Sequence, residues 1–190
     1  MSKFGVEYII TMNDIVREGA AILRKKTQEV DLPVSSEDKD ALLCMLQYLK
    51  NSQDPNISKK YKLRPGVGLS ANQIGLDKRM FAALFDDKDK EYMLINPKII
   101  SHSLNMIYLP EGEGCLSVDR EVEGLVPRYE RIKVKAYDIT GQEVILKFKG
   151  YYSIVIQHEI DHLDGIMFYD RINKENPFKL PDNVPIESLY

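Results

Sequence analysis

Histidine is scarce in this chain, three residues among 190, and cysteine is scarcer still, with two. Two cysteines in a chain this long exclude a scaffold built on disulfides, and a reducing compartment is expected to leave Cys44 and Cys115 as thiols, each with its own explanation. No apolar stretch reaches the roughly 18 residues that a transmembrane helix requires. The apolar run within M-S-K-F-G-V-E-Y-I-I-T-M is also too short for a signal peptide, so a cytoplasmic protein without a membrane partner is expected. Neither sign of charge is in excess: 26 basic and 29 acidic residues leave a formal net charge of −3. That balance gives no support for nucleic acid or a membrane surface as the main partner, and no nucleic-acid motif is present. Repeats and low-complexity tracts are absent too. What remains is the profile of one domain over residues 1–190, with a sizeable core and expected to be a monomer.

Two of the three histidines fall together in His158-Glu159-Ile160-Asp161-His162. Histidines at i and i+4 of an α-helix lie about 40° apart around the axis and one turn apart along it, so both imidazoles can reach one metal ion. Glu159 then sits beside that ion without binding it, where a carboxylate can take a proton from bound water. That is why the spacing recurs in metal-dependent hydrolases. Ile154, Val155, Ile156, Ile160 and Leu163 cover most of the circumference, and a helix apolar on nearly every side is a buried one. Gln157, His158 and Glu159 would be costly to bury without partners, which a metal and its water supply. Gly165 offers a helix stop. A surface helix with chance histidines is the bland alternative.

Earlier in the chain, Thr11 to Glu18 reads as a short helix with Thr11 as N-cap, Asp14 completing a capping box and Gly19 ending it. A second helix is expected from Glu37 to Asn51, with Leu42, Met45, Leu46 and Leu49 forming its apolar stripe and Cys44 beside it. Residues 52–65 turn polar and basic and read as a loop with one helical turn at most. In Gly66-Val67-Gly68, two glycines flank a small apolar residue, which allows another backbone to approach closely. The Gly-Lys-Ser/Thr ending of a phosphate loop is missing. Strands are expected over 79–85, 92–95, 99–108, 131–137 and 143–148, with a charged turn at Asp86 to Lys90. The last two strands form a hairpin around D-I-T-G-Q. The fold class expected is therefore α+β, with mixed and mostly antiparallel sheets around the buried C-terminal H-E-x-x-H helix. The tail after Asp170 is polar.

Between the strands lies Pro110-Glu111-Gly112-Glu113-Gly114-Cys115-Leu116-Ser117. Packing explains poorly a cysteine held between glycine and leucine in a tight loop. As a thiolate, Cys115 would be a strong third ligand beside two imidazoles, leaving a fourth position for water.

The three stretches G-V-G-L-S-A-N-Q, E-G-C-L-S and Q-H-E-I-D-H occur in the order and spacing of the peptide deformylases, and the chain resembles that family over nearly its whole length. The insertion before the first motif and the non-helical tail resemble the longer form typical of Gram-positive bacteria. The resemblance implies a metal-dependent amide hydrolase that removes the N-formyl group from the formylmethionine of nascent polypeptides, met near the ribosome exit, and releases formate. It implies Cys115, His158 and His162 as ligands of one Fe2+, for which Ni2+, Co2+ or Zn2+ can substitute, and Glu159 as general base and acid. Gln73 and the Leu116 N–H would donate to the formyl oxygen. Gly66, Val67, Gly68 and Gly114 would hold the substrate backbone, and Tyr151, Ile154 and Val155 would line the methionine pocket. Glu113 and Gln157 would support the site. The chain departs from the family's usual G-L-A-A-P-Q at Ser70 and Asn72, and Ala20-Ala21 stands where many relatives have a proline. A zinc peptidase, with Glu175 or Glu187 as third ligand, is the rival enzyme. A closed structural metal site or an inactive relative is the non-enzymatic one, for which His102 is the only other histidine.

Overall fold

A computed structural model describes residues 3–5, 7–86 and 90–190; residues 1, 2 and 6 of the N-terminal stretch, and most of the turn expected at Asp86 to Lys90, lie outside them. Among the described residues, eight strands and three α-helices follow one another as α1 (Ser36–Gln53), α2 (Pro55–Tyr61), β1 (Gly68–Ser70), β2 (Met80–Leu84), β3 (Glu91–His102), β4 (Met106–Tyr108), β5 (Arg128–Tyr129), β6 (Arg131–Tyr137), β7 (Glu143–Lys149), α3 (Tyr151–Leu163) and β8 (Ile186–Ser188). An antiparallel sheet runs in the order β1-β2-β3-β6-β7, and a smaller sheet runs β5-β4-β8, with β4 antiparallel to β5 and parallel to β8. The fold is α+β, as expected.

The large sheet separates two cores. The continuous apolar run of β2 sends Met80, Ala82 and Leu84 toward the stripe of α1, and Phe81 and Ala83 toward Ile156, Ile160 and Leu163 of α3. A strand covered on both faces needs no alternation, and all five residues of β2 are buried. On β6 only Ile132, Val134 and Ala136 are buried. The chain passes from β7 into α3 through Gly150, at φ +59°. Helix α3 ends in a Schellman motif: Gly165 (φ +76°) donates to the His162 carbonyl at 3.1 Å and Ile166 to that of Asp161 at 2.9 Å. A side chain at Gly165 would also meet the Arg24 backbone at 2.8 Å.

Three expectations need correction. Thr11 to Glu18 forms a turn and no helix. The Thr11 N–H does donate to Asp14 at 2.8 Å, but Val16 and Glu18 give their N–H groups to the carbonyls of Gln73 (2.7 Å) and Ser117 (2.8 Å). Those tertiary bonds pin the segment against two motif loops. Residues 55–61 form a two-turn helix, started by the Asp54 carboxylate, which accepts from Asn56 and Ile57, and by Pro55 at its first turn. The strands expected at 92–95 and from 99 join into β3, which passes Asn96 at φ +50° because that side chain holds both polar groups of the Val30 backbone; the remainder of the expected 99–108 strand separates as β4. Within the polar tail, residues 186–188 form β8.

Candidate active site

Helix α3 carries its polar groups into the interior. The Nε2 atoms of His158 and His162 are 3.1 Å apart, and Cys115 Sγ lies 3.2 Å from that of His162. All three donor atoms fall within 4.8 Å of one another. Tetrahedral sites with metal–nitrogen bonds of about 2.05 Å and metal–sulfur bonds of about 2.3 Å need separations of about 3.3 and 3.6 Å, so the residues fit a divalent ion. The Cys115 loop is fixed from both sides: Ser117 N–H donates to Sγ at 3.4 Å, and Arg64 donates to the Cys115 carbonyl at 3.1 Å.

Glu113 accepts from His158 Nδ1 at 2.9 Å, which leaves Nε2 free for the ion. Burial disfavours a charged His158, yet contacts with Cys115 and Glu113 outweigh it and hold its pKa well above the ordinary value. Burial and the neighbouring His158 push His162 well below it. Glu113 in turn pairs with Arg128 through two 2.8 Å bonds. Burial alone would raise the Glu113 pKa, but the guanidinium dominates and holds it at about 2. Arg128 is 1% exposed and also contacts Asp161, which accepts two 2.5 Å bonds from Arg171. A chain of alternating charge thus runs from the surface to His158. Composition and spacing do not reveal Arg128, Asp161 or Arg171 as site residues.

Glu159 lies outside the ligand cluster. It is 3% exposed, and its Oε2 accepts from the Ser70 hydroxyl at 2.6 Å. Burial raises its pKa above the usual carboxylate range despite the charge on His158 and the Ser70 hydrogen bond. Gln73 is held by its carbonyl, which accepts from Ser70 N–H at 3.0 Å, and its Nε2 is 3.1 Å from Ser117 Oγ and 3.5 Å from Cys115 Sγ. The Leu116 N–H has no acceptor among the described residues. Gln157 makes no hydrogen bond to a ligand; its amide clasps both polar groups of the Tyr129 backbone at 3.0 and 2.9 Å, tying α3 to β5.

Gly66, Val67, Gly68, Gly114, Tyr151, Ile154 and Val155 line one cavity of about 240 Å³ together with Cys115, His158 and Glu159. Arg64 and Leu109 also line it, and nothing in the sequence singles them out. The close approach at Gly68 proves to be internal, because a Cβ there would lie 2.2 Å from Glu159 Oε1. β1 is nevertheless an edge strand of its sheet among the described residues. Val67 accepts from Leu84 N–H at 2.8 Å, so by strand alternation the polar groups of Gly68 face away from β2.

Residues 12–178 match the model of the polypeptide deformylase family. The chain belongs to the peptide deformylase family. It is 57% identical to peptide deformylase 2 of Bacillus cereus over 178 residues, covering 92% of this chain and 97% of that one. Against peptide deformylase 2 of Bacillus subtilis the identity is 52%, with the same coverage. The crystal structure of the peptide deformylase of Thermus thermophilus aligns with a TM-score of 0.72 at 35% identity, over 85% of this chain and 86% of that one. The chain is accordingly a hydrolase that removes the formyl group from nascent peptides, in a metal-dependent family. Among the described residues, no helix is long and apolar enough to cross a membrane.

The two departures from the deformylase motif both have partners. Ser70 holds Glu159, and Asn72 Nδ2 donates to the His162 carbonyl at 2.6 Å. Both residues are fully buried. Ser70→Ala is expected to keep its metal and lower kcat by about fivefold, the equivalent of one hydrogen bond of about 1 kcal/mol. A steady-state assay showing a loss of several hundredfold would mean that the hydroxyl itself handles the proton. The peptidase ligands find no place here, because Glu175 and Glu187 are exposed and neither joins the cluster. His102 is exposed too and stacks on Tyr129, with ring centroids 3.7 Å apart.

Proposed function

We propose that residues 1–190 form one catalytic domain in which Cys115, His158 and His162 hold a single ferrous ion, and that it acts as a monomer in the cytoplasm on formylmethionyl chains leaving the ribosome. The observation that carries this is the convergence of a thiolate donor and two imidazoles beside a buried carboxylate that is not itself a ligand. Softness and geometry of this set also admit Ni2+, Co2+ or Zn2+. When bound, the ion supplies Lewis-acid activation of water and of the formyl oxygen.

The protein supplies the rest. An extended substrate adds to the free edge of β1 through Gly66, Val67 and Gly68, a form of strand addition, with Gly114 on the facing loop. Its methionine side chain enters between Tyr151, Ile154 and Val155. The Gln73 amide and the Leu116 N–H donate to the formyl oxygen as it gains charge; each donor of this type is worth roughly 10² to 10³ in rate. Glu159, its carboxyl oriented by Ser70 and its proton affinity raised by burial, takes the proton from the attacking water and delivers it to the leaving amine.

With Gln73, Leu116 and Glu159 all lining the cavity beside the three donors, little room beyond a hydrogen is expected at the reacting carbon. Formyl-Met-Ala should be hydrolysed, and acetyl-Met-Ala, larger by one methyl group, should be turned over far more slowly in a free-amine assay. Comparable rates would mark a general amidohydrolase. Activity should also decay in air and persist longer with nickel or cobalt, since thiolate and ferrous iron both oxidise. Full activity with zinc and indifference to oxygen would contradict the ferrous assignment.

A further inference from the structure

The large sheet carries an unusual arrangement of charge on the side away from α3. Arg131 stands directly opposite Lys149, and Lys133 directly opposite Lys147, while Lys98 of β3 faces Lys135. These side chains share the outward face, because Ile132, Val134 and Phe148 point into the core with α3. Helix α1 packs on β1, β2 and β3, and the segment 26–32, with Glu29 and Asp31, lies beside Lys98, Lys135 and Tyr137. The stretch around Arg131, Lys133, Lys147 and Lys149 is left outside both. Lys98, Lys147 and Lys149 are exposed and Lys133 is half-buried. None of these four lysines has an ion-pair partner among the described residues; Lys135 pairs with Glu143, and Arg131 reaches Glu130 at 3.7 Å.

Like charges directly opposite one another weaken a strand pair, and here two consecutive like-charged pairs stand in a chain whose net charge is −3. Such a face maintains positive potential against the balance of the whole molecule. It also shares no residue with the lining of the catalytic cavity, so a partner seated on it leaves the cavity lining uncovered.

We propose that the outward face of β6 and β7 docks the enzyme on the phosphate backbone of folded RNA. The inference rests on the deformylase reading, which makes the substrate a chain emerging from an RNA-rich particle; charge complementarity then favours RNA over other anionic surfaces. Rows of cations repeat at about 6.7 Å along each strand and offer contacts to phosphates without reading bases, which positions a protein but confers no sequence preference.

The test uses the intact metal-loaded enzyme with purified ribosomes, a 20-base-pair RNA hairpin and phosphatidylglycerol vesicles as separate probes. Hairpin affinity should fall with salt in proportion to the few phosphates neutralised. Lys133→Glu with Lys147→Glu should weaken hairpin and ribosome binding at least tenfold, whereas Lys59→Glu with Lys60→Glu, exposed on α2, should not. Lys147→Glu alone, which turns a like-charged pair into an opposite one, should weaken binding and raise the melting temperature. All variants should keep wild-type kcat/KM on formyl-Met-Ala. Equal loss in the α2 variant, no RNA binding by the wild type, or binding to vesicles only would overturn the proposal. Failure of the wild type to hydrolyse formyl-Met-Ala would instead overturn the reading beneath it.

Discussion

Replacing Glu159 with glutamine is expected to lower formate release by roughly 10² to 10⁴, the usual worth of a general base, while leaving about one metal ion per chain. The residue is as buried as a ligand would be, but it is not one of the three convergent donors. Its Oε2 is taken by Ser70 and its Oε1 occupies the space where Gly68 lacks a side chain. Glutamine fills the same space and keeps the Ser70 contact, yet cannot accept a proton. Gly68→Ala should produce a related loss by a different route, displacing a carboxylate that otherwise keeps its chemistry. Metal analysis beside a formate assay separates the possibilities. If Glu159→Gln loses its metal along with its activity, Glu159 is a ligand and the mechanism is wrong.

Cys115→Ala should have the other large effect, with loss of most bound metal and of all deformylation. Two imidazoles alone hold a divalent ion weakly, and the Cys115 loop also carries the Leu116 N–H. Glu175→Ala and Glu187→Ala should keep metal and rate, since both carboxylates are exposed and neither belongs to the three-donor cluster. Measured metal stoichiometry after dialysis decides between the two sets of variants. A Cys115 variant that retains its ion would return the peptidase ligand set to consideration.

How much of this was legible before the structure depended on the range of the interactions involved. Helix α1 and the hairpin of β6 and β7 are readable because burial on one face imposes a period on neighbouring residues, and helix α3 because apolar residues surround a pair of histidines one turn apart. The three-donor cluster was readable because the two histidines lie one turn apart and the cysteine stands in a loop that packing does not explain. Thr11 to Glu18 carries a real local capping signal yet forms no helix, because the N–H groups of Val16 and Glu18 are claimed by Gln73 and Ser117, far along the chain. The link from Arg171 through Asp161 and Arg128 to Glu113 left no local pattern, since its members pair across 10, 33 and 15 positions. Gly68 was recognised as a close approach, but the sequence does not say that Glu159, and not a ligand, is what approaches.

The central claim is that Cys115, His158 and His162 hold the catalytic ion together, and cobalt substitution tests it most directly. A Co–thiolate bond gives a charge-transfer absorption in the near ultraviolet. The band is expected in the cobalt-loaded wild type and in Glu159→Gln, and it should vanish in Cys115→Ala. A wild-type spectrum without that band, or a Cys115→Ala spectrum that keeps it, would contradict the assignment.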